Sequence, residues 1–132
     1  MKKPVVVFVC VHNSCRSQIA EALGKYFFSD EFDFYSAGTV IKGEVNSDAL
    51  RLLNKKYGID ISGCHPKLIS EVPTPDIAIS MGCDVGCPYI GRKFDHNWGL
   101  PDPTGKSDAF FLDVISSIKE KVLSLPQKHL EK

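Results

Sequence analysis

Residues Val5 to Ser17 read VVVFVCVHNSCRS, and this stretch decides the fold. Val5 to Cys10 is a continuous, largely β-branched apolar run, the pattern of a central parallel strand buried on both faces. After the polar stretch Val11 to Ser17, Ile19, Ala22, Leu23, Tyr26 and Phe27 recur at helical spacing, which predicts a helix with one buried face from about Ser17. A buried strand that passes through a short loop into a helix makes an anion cradle. Successive loop N–H groups and the positive end of the helix dipole converge on one point, and Arg16 supplies a planar two-toothed clamp for a tetrahedral oxyanion. Val11, His12, Asn13, Ser14, Cys15, Arg16 and Ser17 are therefore the candidate oxyanion-binding residues. Cys10 sits beneath that point, where the same donors favour a thiolate and Ser17 adds a hydroxyl hydrogen bond.

Outward from this stretch the same alternation continues. Phe32 to Tyr35 reads as a second strand that Gly38 ends. Asn46 is the expected N-cap of a helix carrying Ala49, Leu50, Leu53 and Tyr57, and Gly58 stands where a left-handed C-terminal cap is wanted. A short helical turn is expected from Pro66, a buried strand over Asp76 to Ser80, and a last strand over Arg92 to Trp98. Phe111, Val114, Ile115, Ile118, Val122 and Leu125 mark a long amphipathic helix capped by Ser107 or Asp108. Strands alternating with helices predict an α/β fold: a doubly wound parallel sheet with helices on both faces, its crevice beyond the carboxyl ends of the strands. The whole chain, 1–132, reads as one domain.

Composition narrows the partners. The 132 residues carry 16 Lys plus Arg against 16 Asp plus Glu, so no general field draws the chain to nucleic acid or anionic lipid, and an anion site must be local. Lys2, Lys3 and the apolar run imitate the start of a secretion signal, but the run stops at His12, Asn13 and Arg16 without a small-residue cleavage site. No apolar stretch is long enough to span a bilayer, and the expected location is the cytoplasm. Five cysteines, an odd number, suit catalysis or metal binding in a reducing compartment better than structural pairing.

CVHNSCRS directly after VVVFV resembles the phosphate-binding loop of the low-molecular-weight protein tyrosine phosphatase superfamily. FYSAGT at Phe34 to Thr39, the helix opening at Asn46, IDIS at Ile59 to Ser62, Cys87-Pro88, HNWG at His96 to Gly99 and Asp102-Pro103 resemble its arsenate reductases. The similarity covers nearly the full length. It implies a four-stranded parallel sheet, Cys10 as nucleophile, Arg16 as oxyanion clamp and Asp102 as general acid, with no cofactor and no metal. Asp102 has a second argument, because Pro101 and Pro103 fix the backbone on both sides of a short carboxyl side chain. A protonated carboxyl held there can serve a departing oxygen; the plainer reading is a turn before a helix.

Cys83 and Cys87 follow the third strand in a Gly-bearing loop, on the same rim as Cys10. Two such thiols can pass oxidation outward by exchange, which hydrolysis of a phosphate ester does not need and reduction of arsenate does. The resemblance implies a relay: Cys10 attacks arsenate, Cys83 attacks the Cys10 sulfur with release of arsenite, and Cys87 resolves that bond for thioredoxin to reduce. The order of attack stays open, since an ungapped match puts Gly82 where the first relay cysteine is expected. Zinc competes for Cys83 and Cys87 with Cys64 and His65, but Cys64 and His65 are adjacent rather than spaced as a second ligand pair. Cys15 reads as a small packing residue, Cys64 as a bystander, and His12 as a backbone donor with an exposed ring.

Two other functions remain open at this stage. A tyrosine phosphatase would use the same Cys10, Arg16 and Asp102, but Thr104 stands where a stacking tyrosine is expected, leaving Trp98 to wall the pocket. A non-catalytic thiol redox sensor would use Cys83 and Cys87 alone. Phosphate and sulfate are the expected competing oxyanions. The resemblance also matches Asn13, Glu21 and Ser36 to a potassium site in which Lys67 replaces an aspartate. Lys67 is therefore expected to pair with Glu21 in the cation's place and hold Asn13; the alternative is an exposed lysine on a turn.

Overall fold

The computed structural model describes residues 3–40, 43–82 and 93–126. Four strands, β1 (Val5–Val9), β2 (Asp33–Ala37), β3 (Ile77–Ser80) and β4 (His96–Asn97), form one sheet in the order β2-β1-β3-β4. Every pairing is parallel, with Val6 opposite Phe34 on one side and Ile77 on the other. The expected four-stranded parallel sheet is what the chain builds. The direction of winding reverses between β1 and β3: from β1 the chain adds β2 on one side, and from β3 it adds β4 on the other. Ligands of open α/β sheets bind at such a switch point, here at Cys10 and Met81.

All five residues of β1 are buried, as a strand covered on both faces requires. Val6 and Phe8 enter a core shared with α1 (Arg16–Phe28), α2 (Ser47–Tyr57) and α3 (Asp108–Leu123). Val5, Val7 and Val9 face the other way, onto Ala37, Tyr35, Phe94 and the 3-10 turn Ile69–Glu71 with Val72 behind it. The helical cover is thus unequal, three long helices against a single turn. Among the described residues no helix is long and apolar enough to cross a membrane.

Local signals mostly landed where the sequence put them. Asn46 Oδ1 accepts from the N–H groups of Asp48 and Ala49 and starts α2; Gly58, at φ 70°, ends it by returning its N–H to Asn54. Ser107, not Asp108, caps α3, accepting from Phe110 N. Four expectations need correction. β2 runs on to Ala37, because Ser36 and Ala37 still pair with Phe8 and Val9. The turn after Pro66 begins only at Ile69, where Leu68 bridges to Gly38. Over the described part of Arg92 to Trp98 only His96 and Asn97 are strand, since β3 offers them just Ile79 and Ser80. Tyr26 is 55% exposed, because α1 is enclosed all round from Ser17 to Gly24 and then emerges.

Candidate active site

The chain leaves β1 with Cys10 N still bonded to Ala37 O, and α1 begins at Arg16, one residue before the expected Ser17. In between, the loop's carbonyls turn outward and are taken up. Val11 O accepts from Thr39 N (2.9 Å) and Val40 N (3.1 Å), Ser14 O from Asn46 N (2.7 Å) and Cys15 O from Ile19 N (3.0 Å). Gly38 permits this, because a Cβ there would stand 2.6 Å from Val11 O. Among the described residues the N–H groups of Val11 to Arg16, by contrast, meet no acceptor. Six consecutive unpaired donors at a helix N-terminus are a nest for an anion.

Asn13 sets that curvature. It holds a left-handed φ of 53° and is fully buried. Its Oδ1 accepts from Gln18 Nε2 (3.1 Å) and Lys67 N (2.9 Å), and its Nδ2 donates to Ser17 Oγ (2.7 Å). Ser17 Oγ in turn shares a hydrogen bond with Cys10 Sγ, 2.8 Å away, so that Asn13, Ser17 and the sulfur form one chain of contacts behind the loop. Gln18 Nε2 also reaches Asn13 O and His65 O, each at 3.1 Å, fastening the loop to the segment before Lys67.

Arg16 reaches across the crevice. Its Nη1 donates to Leu100 O at 2.6 Å and lies 3.5 Å from Met81 O, which holds the segment after β4 over the loop. Two residues on from Leu100, Asp102 comes to the mouth of a cavity of about 50 Å³ lined by Cys10, Val11, His12, Ser14, Cys15, Arg16, Asp102 and Thr104. One water occupies about 10–15 Å³ on this measure, so the space suits the four oxygens of one tetrahedral ion. Cys10, Arg16 and Asp102, the residues expected as nucleophile, clamp and acid, therefore line one small space. Of the seven loop residues expected to bind the oxyanion, Asn13 and Ser17 do not line it; their side chains lie behind the loop and shape it.

Further residues fall differently from expectation. His12 is half-buried on the cavity wall rather than exposed. Cys15 is buried as expected, and burial, helped by the Asp102 carboxylate, pushes its thiol up to about 12. Trp98 does not wall the cavity; partly buried, its ring packs against the core, tilted 47° to Phe8 with centroids 5.4 Å apart. Cys64 is exposed. Lys67 Nζ lies 3.6 Å from Glu21 Oε1, with side chains only 18% and 8% exposed, so the expected pairing is present. Ser36 Oγ donates to the same Glu21 oxygen, and Lys25 Nζ pairs with Oε2 at 2.6 Å. It is the backbone N–H of Lys67, not its ammonium, that holds Asn13. Cys83 and Cys87 lie outside the described residues. Sequence reasoning missed Gln18, the close approach at Gly38 and the Arg16–Leu100 bond, all made across 20 or more residues or by an unremarkable glutamine.

The described geometry has counterparts among known proteins. The family model for low molecular weight phosphotyrosine protein phosphatase matches residues 5–85. Arsenate reductase 1 of Staphylococcus epidermidis is 36% identical over 127 residues, covering 92% of this chain and 95% of that protein. A solved structure described as an arsenate reductase in the phosphate binding state superposes with a TM-score of 0.82 at 34% identity, over 95% of this chain and 98% of the other. The thioredoxin-dependent arsenate reductase of Corynebacterium glutamicum gives a TM-score of 0.74 at 30% identity, over 98% of this chain and 64% of its own. With the switch-point loop, the sheet order and these matches in agreement, the chain belongs to the low molecular weight phosphotyrosine protein phosphatase family, beside its arsenate reductases.

Proposed function

We propose that this protein reduces arsenate to arsenite with thioredoxin as the electron donor. The observation that carries the reading is the set of unpaired N–H groups from Val11 to Arg16 around Cys10, in a space the size of one tetrahedral oxyanion. Arsenate is the substrate named for the relatives, and phosphate and sulfate, alike in shape and charge, compete for the same donors. Cys10 is the nucleophile. The loop N–H groups and Arg16 neutralise the oxyanion, and Asp102 gives its proton to the oxygen that leaves as the arsenic–sulfur bond forms.

Reduction then needs two electrons. Cys83 attacks the Cys10 sulfur; the sulfur–arsenic bond breaks with its electron pair passing to arsenic, and arsenite departs. Cys87 attacks Cys83, freeing Cys10 as a thiolate and leaving a Cys83–Cys87 disulfide that thioredoxin reduces. Support for this relay comes from the presence of two thiols shortly after β3 in the sequence and from the thioredoxin-dependent relative.

A second reading, a phosphotyrosine phosphatase on the same Cys10, Arg16 and Asp102, is favoured by the family match. It needs neither Cys83 nor Cys87, and Thr104 offers no ring for an aromatic substrate. Turnover decides between them. With arsenate, each chain is expected to oxidise many equivalents of reduced thioredoxin; a redox sensor stops after one, and a phosphatase consumes none. Cys83→Ser and Cys87→Ser should each lose multiple turnover while keeping any aryl phosphate hydrolysis. Full reductase turnover in either variant removes that cysteine from the relay.

A further inference from the structure

Asp102 is flanked by prolines that fix its backbone, yet its side chain is exposed and nothing in a proline ring orients a carboxyl group. Orientation comes from one residue. Thr104 donates twice to the same carboxyl oxygen, from its N–H at 3.0 Å and from Oγ1 at 2.7 Å, so that Asp102 Oδ1 is fully engaged. Among the described residues Oδ2 has no partner. An oxygen accepting two hydrogen bonds is the poorer site for a proton, and the proton of the neutral acid therefore belongs on Oδ2.

We propose that Thr104 is a positioning residue for the acid: its hydroxyl and N–H pin Asp102 Oδ1 so that Oδ2 carries the proton to the leaving oxygen. The inference rests on Asp102 being the general acid. In the step it serves, the Cys10 thiolate attacks arsenic and an As–S bond forms. An As–O bond breaks with its electron pair on oxygen, and the Oδ2 proton converts that hydroxide into water. Thr104 undergoes no chemistry. The residue that replaces a stacking tyrosine thus has a task of its own, and the pinning suits a small inorganic substrate that cannot orient the acid by contacts of its own.

The test is a double-mutant cycle on arsenate-dependent oxidation of reduced thioredoxin by the full chain, read as kcat/KM for arsenate. Thr104→Val keeps the shape and the backbone donor but loses the hydroxyl, and should lower kcat/KM by about tenfold, equivalent to about 1.4 kcal/mol. In an Asp102→Asn background the same change should cost less than about twofold, because the residue acts only through the carboxyl. Thr104→Ser should restore activity to within about twofold of the parent, and inhibition by inorganic phosphate, which needs no proton donor, should shift by less than about twofold in either Thr104 single variant. Equal losses in both backgrounds, no loss in Thr104→Val, or no recovery in Thr104→Ser overturns the inference while leaving Asp102 as the acid. Undiminished kcat/KM in Asp102→Asn alone overturns the acid itself, and absence of arsenate turnover in the parent overturns the proposed function.

Discussion

Cys10 and Cys15 stand five residues apart in one loop and are equally buried, at 5% and 4% exposure, yet their surroundings are opposite. Cys10 Sγ shares a hydrogen bond with Ser17 Oγ at 2.8 Å and opens the loop whose N–H groups, Val11 to Arg16, have no acceptor among the described residues. Cys15 stands at the N-cap of α1 without a side-chain capping bond; burial first and the nearby Asp102 carboxylate second push its thiol up to about 12, against the opposing effect of its hydrogen bond with Thr104. Burial alone therefore does not decide which sulfur reacts. What differs is what faces the atom: a hydroxyl and unpaired N–H groups at Cys10, an acidic neighbour at Cys15, whose thiol is held neutral.

The sharpest way to break this contrast is at the sulfurs. Cys10→Ser should abolish arsenate reduction with the fold intact, since a serine hydroxyl is not ionised at neutral pH. Cys15→Ala should keep multiple turnover. If the two variants are equally dead while folded, the contrast fails. Asp102 comes next in size. Asp102→Asn should lower arsenate turnover by about 10²–10⁴-fold, and the thermal stability of that variant shows whether the loss is chemical.

Stability against pH isolates Cys15. Its folded thiol titrates at about 12 against 9.0 when unperturbed, so the stabilisation is intact below about pH 9 and is lost as pH rises toward 12. In that window the unfolded chain sheds a proton that the folded chain keeps, and stability should fall by about 1.4 kcal/mol per pH unit from this group. Denaturant midpoints for the parent and Cys15→Ala should diverge above pH 9; parallel curves would show that Cys15 is not held neutral. The smallest effect concerns Lys67. Lys67→Ala leaves Glu21 with Lys25 and Ser36 and should cost about 1 kcal/mol, a melting shift of about 4 °C, with some loss of activity. Potassium exchanged for a large organic cation at constant ionic strength should change nothing in the parent. Marked activation by potassium would mean that a metal ion, not the ammonium, neutralises Glu21.

How far the site was legible follows from the range of the interactions. The strand-to-helix loop, the Asn46 and Gly58 caps and the core stripe of α3 are written within a few residues of one another, and each was found where local chemistry put it. Of the two tasks expected of Ser17, binding the oxyanion and hydrogen-bonding the Cys10 sulfur, only the second is met, because the folded loop places its hydroxyl behind the cavity. Gly38 read as the end of a strand; its closeness to Val11 depends on β1 and β2 lying side by side. Gln18 looked like any polar helix residue, and its three acceptors on Asn13 and His65 exist only once the 59–67 segment closes over α1. The length of β4 was overestimated because an edge strand is limited by its partner, not by its own pattern.

The unpaired N–H groups of the loop carry a last consequence, for mass action rather than for catalysis. They are gathered into one place only when β1, α1 and the Thr39 and Asn46 anchors are assembled, so an oxyanion that bonds to them recognises the native chain and ignores the unfolded one. At a hundredfold excess over its Kd such a solute adds about 2.7 kcal/mol to the unfolding free energy. Melting curves recorded in phosphate buffer and in an amine buffer thus report two different equilibria, and the gap between them measures how completely the cradle is preformed.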